Sequence, residues 1–395
     1  MSGPSTEQAK GEPAQPLGLY LHVPFCASTC DFCAFYQTQP TAELVRRFLA
    51  GMEQEAGLVQ WTRPIGTVFW GGGTPGLLAP RDLGRLAELV HSRAQGQPVE
   101  WTVELAPASV TGERLGVMRD AGVTRVSLGA QSFQPNLLDA LGRNHTREQI
   151  YRAYDRVRAA GFESVNLDLM FALPGQTASE WAADVAAAVA LAPDHLSTYC
   201  LTFEEDTKLW LKLSQGRVKL DPDLEADLYA ATWEQLGAAG YPQYEISNFA
   251  RPGHECRHNL NTWRMHEWIG LGPSAASQHE GVRGANVADL EEWLAQLTRS
   301  ARVSVDTVPV TAELLAEDAL IFGLRMNEGV DLAPRLDSAP RAPWSVIDQA
   351  LGELERGELL VRDGSRVRLT HRGRLLADSV GAEIMTAFAA LAETT

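Results

Sequence analysis

The chain has 395 residues, 45% of them apolar, with 34 Lys and Arg against 50 Asp and Glu, a formal net charge of −16. That length and apolar content suit one large domain plus a smaller one, and the acidic balance argues against nucleic acid as a partner. No run approaches the roughly 18 uncharged apolar residues of a membrane span, and residues 1–16 have the composition of a disordered tail, not of a signal peptide, so a cytoplasmic protein is expected, with peripheral membrane contact left open.

A first strand is predicted over 18–23 (GLYLHV) and runs straight into a loop with Cys26, Cys30 and Cys33. A helical pattern covers 41–59, a second strand 66–70 is followed by GGGTP, and a second helix covers 81–94. The third strand, 100–105, carries Glu104 and is followed by Ala-Pro; the fourth, 124–128, runs into GAQSF. Thr146 with Gln149, and Thr177 with Glu180, read as capping boxes that open helices. Between those helices a fifth strand, 164–169, ends at MFALPGQT, and a sixth covers 195–201. A helix over 222–239 precedes the polar and aromatic stretch YEISNFARPGHECRHNLNTW at 244–263. From about 312 the pattern becomes helices followed by LLVRDGSRVRLT, two strands around an Asp363-Gly364 turn, and a final helical stretch.

Six βα units in succession imply a parallel sheet, doubly wound or closed into part of a barrel, with ligands at the carboxyl ends of its strands. Five distinctive loops fall at that one end. They favour a partial (β/α)6 barrel over residues 17–300, with a small winged-helix-like module over 301–395.

Three cysteines in the first loop, with Cys200 and Cys256 distant, do not make a disulfide framework; a cluster of this kind in a reducing compartment binds metal or does chemistry. Three thiolates leave a four-coordinate zinc short of one ligand, which His22 could supply. Alternatively they hold three irons of an iron–sulfur cluster and leave the fourth open to a substrate. Gly71–Gly73 allow close backbone approach to a ligand, and the absence of a following Lys argues against a phosphate loop. Asp168 lies between apolar neighbours at a strand end, where a carboxylate needs a partner or a ligand.

The stretches YLHVPFCASTCDFC, FWGGGTP, RVSLGAQSF, GRNH, NLDLMFALPGQT and YEISNFARPGHECRHNLNTW together resemble radical S-adenosylmethionine proteins. More narrowly, the chain is similar to the oxygen-independent coproporphyrinogen dehydrogenase family and its shorter heme-chaperone branch. The resemblance implies that Cys26, Cys30 and Cys33 hold a four-iron four-sulfur cluster whose open iron chelates S-adenosylmethionine. It further implies that Tyr20, His22, Phe32, Gly72, Gly73, Thr74, Glu104, Gln131, Arg143 and Asp168 surround that cofactor. Ala106 stands where the family usually has Asn, so one amide of that surround is missing.

Two features divide the branches. The dehydrogenases carry a further cysteine two residues after the third, where this chain has Phe35, and a longer N-terminal region, where only 25 residues precede Cys26 here. The heme-chaperone branch carries His-Asn-x-x-Tyr-Trp, matched by His258, Asn259 and Trp263 with Thr262 in place of Tyr. His258 is therefore the candidate heme ligand, with His254 and Cys256 as alternatives; the plain structural reading is a loop over the barrel mouth with its His bonded to backbone. The expected function is a heme chaperone holding the cluster, S-adenosylmethionine and heme, with an electron donor and heme-acceptor proteins as partners. The alternative is oxidative decarboxylation of coproporphyrinogen III. Six arginines from Arg356 to Arg374 suggest a solvated wing, or docking to an acidic partner or to porphyrin propionates.

Overall fold

In a computed structural model of the chain, the described residues are 15–299, 302 and 304–389. Most of the expected N-terminal tail lies outside them; its last part is tied down, the Gln15 carbonyl accepting from Arg63 Nη1 at 3.1 Å.

Six parallel strands form the body: β1 (Leu17–Val23), β2 (Ile65–Gly72), β3 (Glu100–Leu105), β4 (Arg125–Gln131), β5 (Ser164–Phe171) and β6 (His195–Cys200). They pair in sequence order, each crossover containing a helix. Alternation along the strands sends Leu19, Leu21, Val68, Trp70, Trp101, Val103, Val126, Leu128, Val165 and Leu167 outward into the apolar core beneath the helices. The other register, Tyr20, His22, Phe69, Glu104, Arg125, Ser127, Asn166, Asp168, His195 and Ser197, faces the interior. That inner face is largely polar, unlike the packed apolar interior of a closed eight-stranded barrel.

The helices form where they were expected and for the expected reasons. Ala42–Leu58 is capped by Thr41, whose Oγ1 accepts from Leu44 N at 3.2 Å, and buries the stripe Val45, Phe48, Leu49, Met52, Ala56. Both capping boxes, Thr146 with Gln149 and Thr177 with Glu180, are formed. Each large apolar side chain so buried contributes roughly 1.5–3 kcal/mol before entropy is subtracted.

The sheet does not stop at six strands. The antiparallel pair β7 (Gln243–Glu245) and β8 (Asn248–Ala250) continues it beyond β6. On the other edge β9 (Trp268–Leu271) pairs parallel with β1, and β10 (Ala276–His279), β11 (Val282–Asn286) and β12 (Ser304–Pro309) follow antiparallel. The expected boundary at 300/301 thus falls inside this sheet, because β12 pairs with β11. Glu55 anchors this extension from within the first helix: its carboxylate accepts from Gly272 N (2.8 Å), Asn286 Nδ2 (2.6 Å), Trp293 Nε1 (3.2 Å) and Arg302 Nε (3.1 Å). Gly51, one turn earlier, leaves room for Trp293, since a Cβ there would lie 2.7 Å from the indole.

After β12 a second apolar core begins, built on Leu320, Ile347, Leu351, Leu360, Val367, Val380 and Ile384. Helices Ala312–Gly323, Trp344–Arg356 and Ala377–Ala389 pack around a three-stranded sheet of β13 (Val330–Asp331), β14 (Leu360–Asp363) and β15 (Arg366–Leu369). The expected hairpin forms on Gly364, whose φ of +61° suits the turn. Its arginines are mostly engaged: Arg362 pairs with Asp348 at 2.6 Å, and Arg374 lies 4.8 Å over the Trp233 ring and bonds Gln243, which ties the module to the barrel.

Candidate functional site

The cysteine loop leaves the carboxyl end of β1 and is held by the loop after β2. Gly73 N donates to Val23 O at 2.8 Å and Thr74 N to Phe25 O at 2.7 Å. These amides hold the cysteine loop against the loop after β2. The glycines answer to crowding: a Cβ on Gly71 would sit 2.9 Å from Glu104 Oε2, one on Gly72 2.5 Å from the His22 ring, and one on Gly73 2.7 Å from backbone oxygens of the cysteine loop. Gly72 also has φ of +96°.

The three thiols are free and partly exposed. Cys26 Sγ lies 3.7 Å from Thr74 Oγ1, and Cys30 Sγ accepts from Arg143 Nη1 at 3.3 Å. Arg143 also lies 5.9 Å over the Phe32 ring, which itself packs on Leu137, Leu141 and Leu209. A guanidinium against a thiol suits a group that carries negative charge in use. Burial pushes the free Cys26 and Cys33 thiols up from their ordinary value. Positive charge beside them is therefore what a thiolate ligand set here requires.

His22 does not point at the thiols as a fourth ligand would. Its Nδ1 pairs with Tyr20 Oη at 3.1 Å and its Nε2 with the Tyr36 carbonyl at 3.3 Å. Among the described residues no three His, Cys, Asp or Glu side chains are arranged to hold a single ion. The engagement of both His22 ring nitrogens favours the reading of three thiols as corners of a larger cluster over a zinc site with His22 as fourth ligand.

Below the loop the interior residues form one connected group. Asp168 has the partners its burial demands: Ser127 Oγ donates at 3.0 Å and Asn166 Nδ2 at 2.7 Å. Burial raises its carboxyl nonetheless. Burial, and then repulsion from Asp168, push Glu104 up to about 8. Gln131 is buried with φ of +68° at a bulge between β4 and β5, a strained backbone of the kind that collects at binding sites. Its Nε2 and Arg143 Nη2 both come within about 3 Å of the space a Cβ on Gly129 would need. Thus Gln131 and Arg143 converge beside β4, while Glu104 and Asp168 lie deeper on β3 and β5.

His258 is placed differently from expectation. The segment 244–263 is no loop over the barrel mouth; it forms β7, β8 and the helix Arg257–Trp263, which plugs the amino end of the barrel. Glu100, at the start of β3, accepts from Arg257 N at 2.8 Å, His258 N at 2.9 Å and Cys256 Sγ at 3.5 Å. His258 Nδ1 bonds Thr67 Oγ1 at 3.0 Å and its ring packs 5.3 Å from Phe69. The aromatic series His258, Phe69, Tyr20, His22 runs up the barrel wall and separates His258 from the thiols. The bonds to Glu100 and Thr67 hold the imidazole inward, and Cys256 is wholly buried with it.

The opposite face of the same helix lines a cavity of about 740 Å³ at the open side of the barrel after β6. Tyr199, Phe203, Trp210, Tyr229 and Trp263 wall it, with Asn259 and Thr262 beside the tryptophan. Tyr199 is two residues beyond Ser197, the β6 partner of Asp168, so the cavity opens beside the polar interior. Sequence reading missed this cavity because its walls come from segments scattered between Tyr199 and Asp378. It also missed the buried chain of Asn166 Oδ1 to His195 Nδ1 (2.6 Å) and His195 Nε2 to Tyr244 Oη (2.8 Å); the inward alternation of β6 was the available signal.

Burial lowers His258 from 6.5 to about 4. It stays neutral in the folded chain while the unfolded chain takes up a proton, so its contribution is full above pH ~6.5 and is lost as pH falls toward 4. Some 3 kcal/mol follows from that shift at 1.36 kcal/mol per unit. Urea unfolding at pH 7.5 and 5 should show a loss that His258→Gln reduces; an unchanged pH slope in the variant would refute the assignment.

Comparison with known proteins matches these features. The profile of the radical SAM superfamily covers residues 20–188, and that of the HemN C-terminal domain covers residues 310–376. The heme chaperone HemW of Bacillus subtilis is 33% identical, over 91% of this chain and 97% of its own. HemW of Mycobacterium tuberculosis is 37% identical, over 93% of this chain and 94% of its own. A solved structure of coproporphyrinogen III oxidase HemN from Escherichia coli, described as a radical SAM enzyme, superimposes with a TM-score of 0.82 over 94% of this chain and 91% of its own, at 24% identity, and so shares the fold. With its three-thiol loop at the carboxyl end of a partial β/α barrel and its relatives matched along nearly their whole length, the chain belongs to the heme chaperone HemW family of radical SAM proteins.

Proposed function

We propose that this protein is a cytoplasmic heme chaperone: it binds heme in the cavity after β6 and passes it to acceptor proteins. Cys26, Cys30 and Cys33 would hold a four-iron four-sulfur cluster, with S-adenosylmethionine among Gln131, Arg143, Glu104 and Asp168. The observation that carries the heme reading is the 740 Å³ cavity walled by five aromatic side chains, including Trp263 of the HNLNTW segment. Flat apolar walls of this kind suit a macrocycle.

When bound and reduced, such a cluster supplies an electron to S-adenosylmethionine from a protein donor. The chain's own residues have simpler tasks. Arg143 keeps a cation against Cys30, Asp168 and Glu104 offer carboxyl groups for hydroxyl or amine donors, and Tyr20 and His22 brace β1 behind the loop. Phe35, in the place of the dehydrogenases' further cysteine, is 70% exposed and cannot serve as a ligand.

Anaerobic titration of the reconstituted protein with hemin should saturate near one heme per chain, and Trp263→Ala should weaken binding by about tenfold. On the same sample coproporphyrinogen III should not be converted. Turnover to protoporphyrinogen, or a hemin titration that never saturates, would sink the chaperone reading.

A further inference from the structure

We infer that Arg325, carried by the C-terminal module, is the carboxylate anchor of the cavity after β6, and that its ligand there is a heme propionate. The inference rests on the heme reading above. Among the described residues, Arg325 is the only cation lining that cavity. Its guanidinium lies 5.6 Å over the Trp263 ring, so it is already placed against one aromatic wall. Phe322, one turn before it, packs 5.8 Å from the same indole.

The hydrogen bonds of this arginine are incomplete in an informative way. Nη1 donates to Asp378 Oδ1 at 2.7 Å. Nε is buried with no acceptor, and Nη2 has no protein partner among the described residues. Nε and Nη2 form the side-on edge of the guanidinium, the edge that takes a carboxylate with two parallel bonds. The one engaged nitrogen faces a weak competitor, since the Asp378 side chain is 93% exposed. A second orphan atom lies in the same wall, but it is an acceptor and calls for a donor, not for a carboxylate. Asn248 lines the cavity, is 3% exposed, and its Oδ1 has no donor while its Nδ2 bonds Glu245. Buried polar atoms are rarely left unpaired unless something else completes them.

The other charged groups of the cavity are carboxyls. Glu245 accepts from Ser247 N at 3.1 Å and from Asn248, and burial raises it toward its neutral form. Glu225 lies beside Cys200. One propionate can therefore be accepted at the Arg325 edge and not elsewhere on this wall. Bound so, heme would bridge Trp263 and Tyr199 of the barrel body to the C-terminal module, and the module would serve as one wall of the site.

The test is absorbance titration of the full chain with hemin and with hemin dimethyl ester, in which both propionates are capped. The parent should prefer hemin by about tenfold, the scale of a charged hydrogen-bonded pair. Arg325→Met should bind hemin about tenfold more weakly and lose the preference, and Arg325→Lys, which keeps the charge without the fork, should fall between. Asp378→Asn should tighten hemin a few-fold and leave the ester unchanged. Equal binding of hemin and ester by the parent, or a preference retained in Arg325→Met, would overturn the anchor while leaving the heme reading intact. The parent comparison decides even if a variant fails to fold. Binding of neither ligand by the parent would overturn both readings together.

Discussion

Serine in place of any one of Cys26, Cys30 or Cys33 is expected to abolish retention of iron and sulfide after anaerobic reconstitution, while Cys200→Ser and Cys256→Ser keep both. The asymmetry follows from position. The three loop thiols are partly exposed at the carboxyl end of β1, next to Thr74 and Arg143. Cys256 is wholly buried against Glu100 at the opposite end of the barrel, and Cys200 lies in the cavity wall. A serine oxygen is a poor substitute for a thiolate toward iron, so the effect should be nearly complete and not graded. Iron and acid-labile sulfide analysis, with the low-temperature EPR signal of the reduced sample, reads it directly. Full iron content in a loop variant would remove that thiol from the ligand set. Arg143→Met offers a milder comparison: the cluster should still assemble, but the cation beside Cys30 is gone, and the reduced form should become harder to reach.

The second large effect concerns stability. Glu100→Ala should destabilise the fold by about 3–5 kcal/mol, the cost of removing a buried carboxylate that accepts two backbone amides, at about 1.5–3 kcal/mol per hydrogen bond to a charged group. Glu100 closes the amino end of the barrel: it accepts two backbone amides of the helix Arg257–Trp263 and the Cys256 thiol. It is also a nearby negative charge for Arg125, whose guanidinium is buried with an unpaired Nε. Removing the carboxylate takes the acceptor from the two amides and the thiol at once. Urea denaturation should show the loss, and Glu100→Gln should recover part of it through its carbonyl oxygen. A change below about 1 kcal/mol in the alanine variant would mean that the helix start is held by other contacts. Because Trp263 rides on that helix, the same variant should also weaken heme binding.

Much of the architecture was legible because it is local. Six short strands with period-two patterning, helices with Thr-x-x-Gln and Thr-x-x-Glu boxes, and a hairpin on Asp363-Gly364 each depend on residues within one turn or one strand. The cysteine loop was legible for the same reason, since Cys26, Cys30 and Cys33 are close in sequence and three thiols have few uses. The family resemblance added the expected roles of Glu104, Gln131, Arg143 and Asp168, and the fold brings these four to the barrel interior.

What the chain could not disclose by itself was direction and depth. Histidine and tryptophan of HNLNTW are five residues apart, yet the short helix turns His258 into the barrel base and Trp263 to the cavity. Glu100 decides that orientation, from 158 positions away, by taking the amide of His258. That Glu104, His22 and the cysteine-loop backbone occupy the space side chains on Gly71, Gly72 and Gly73 would need was likewise not readable from the GGGTP run itself. Composition and local spacing thus determined the strands, the helices and the clustering of three thiols in one loop, because those rest on short-range sterics, hydrogen bonding and nearness in sequence. The cavity and the placing of Arg325 in its wall were decided only by tertiary packing, which alone can carry that arginine from beside a second hydrophobic core to the face of Trp263.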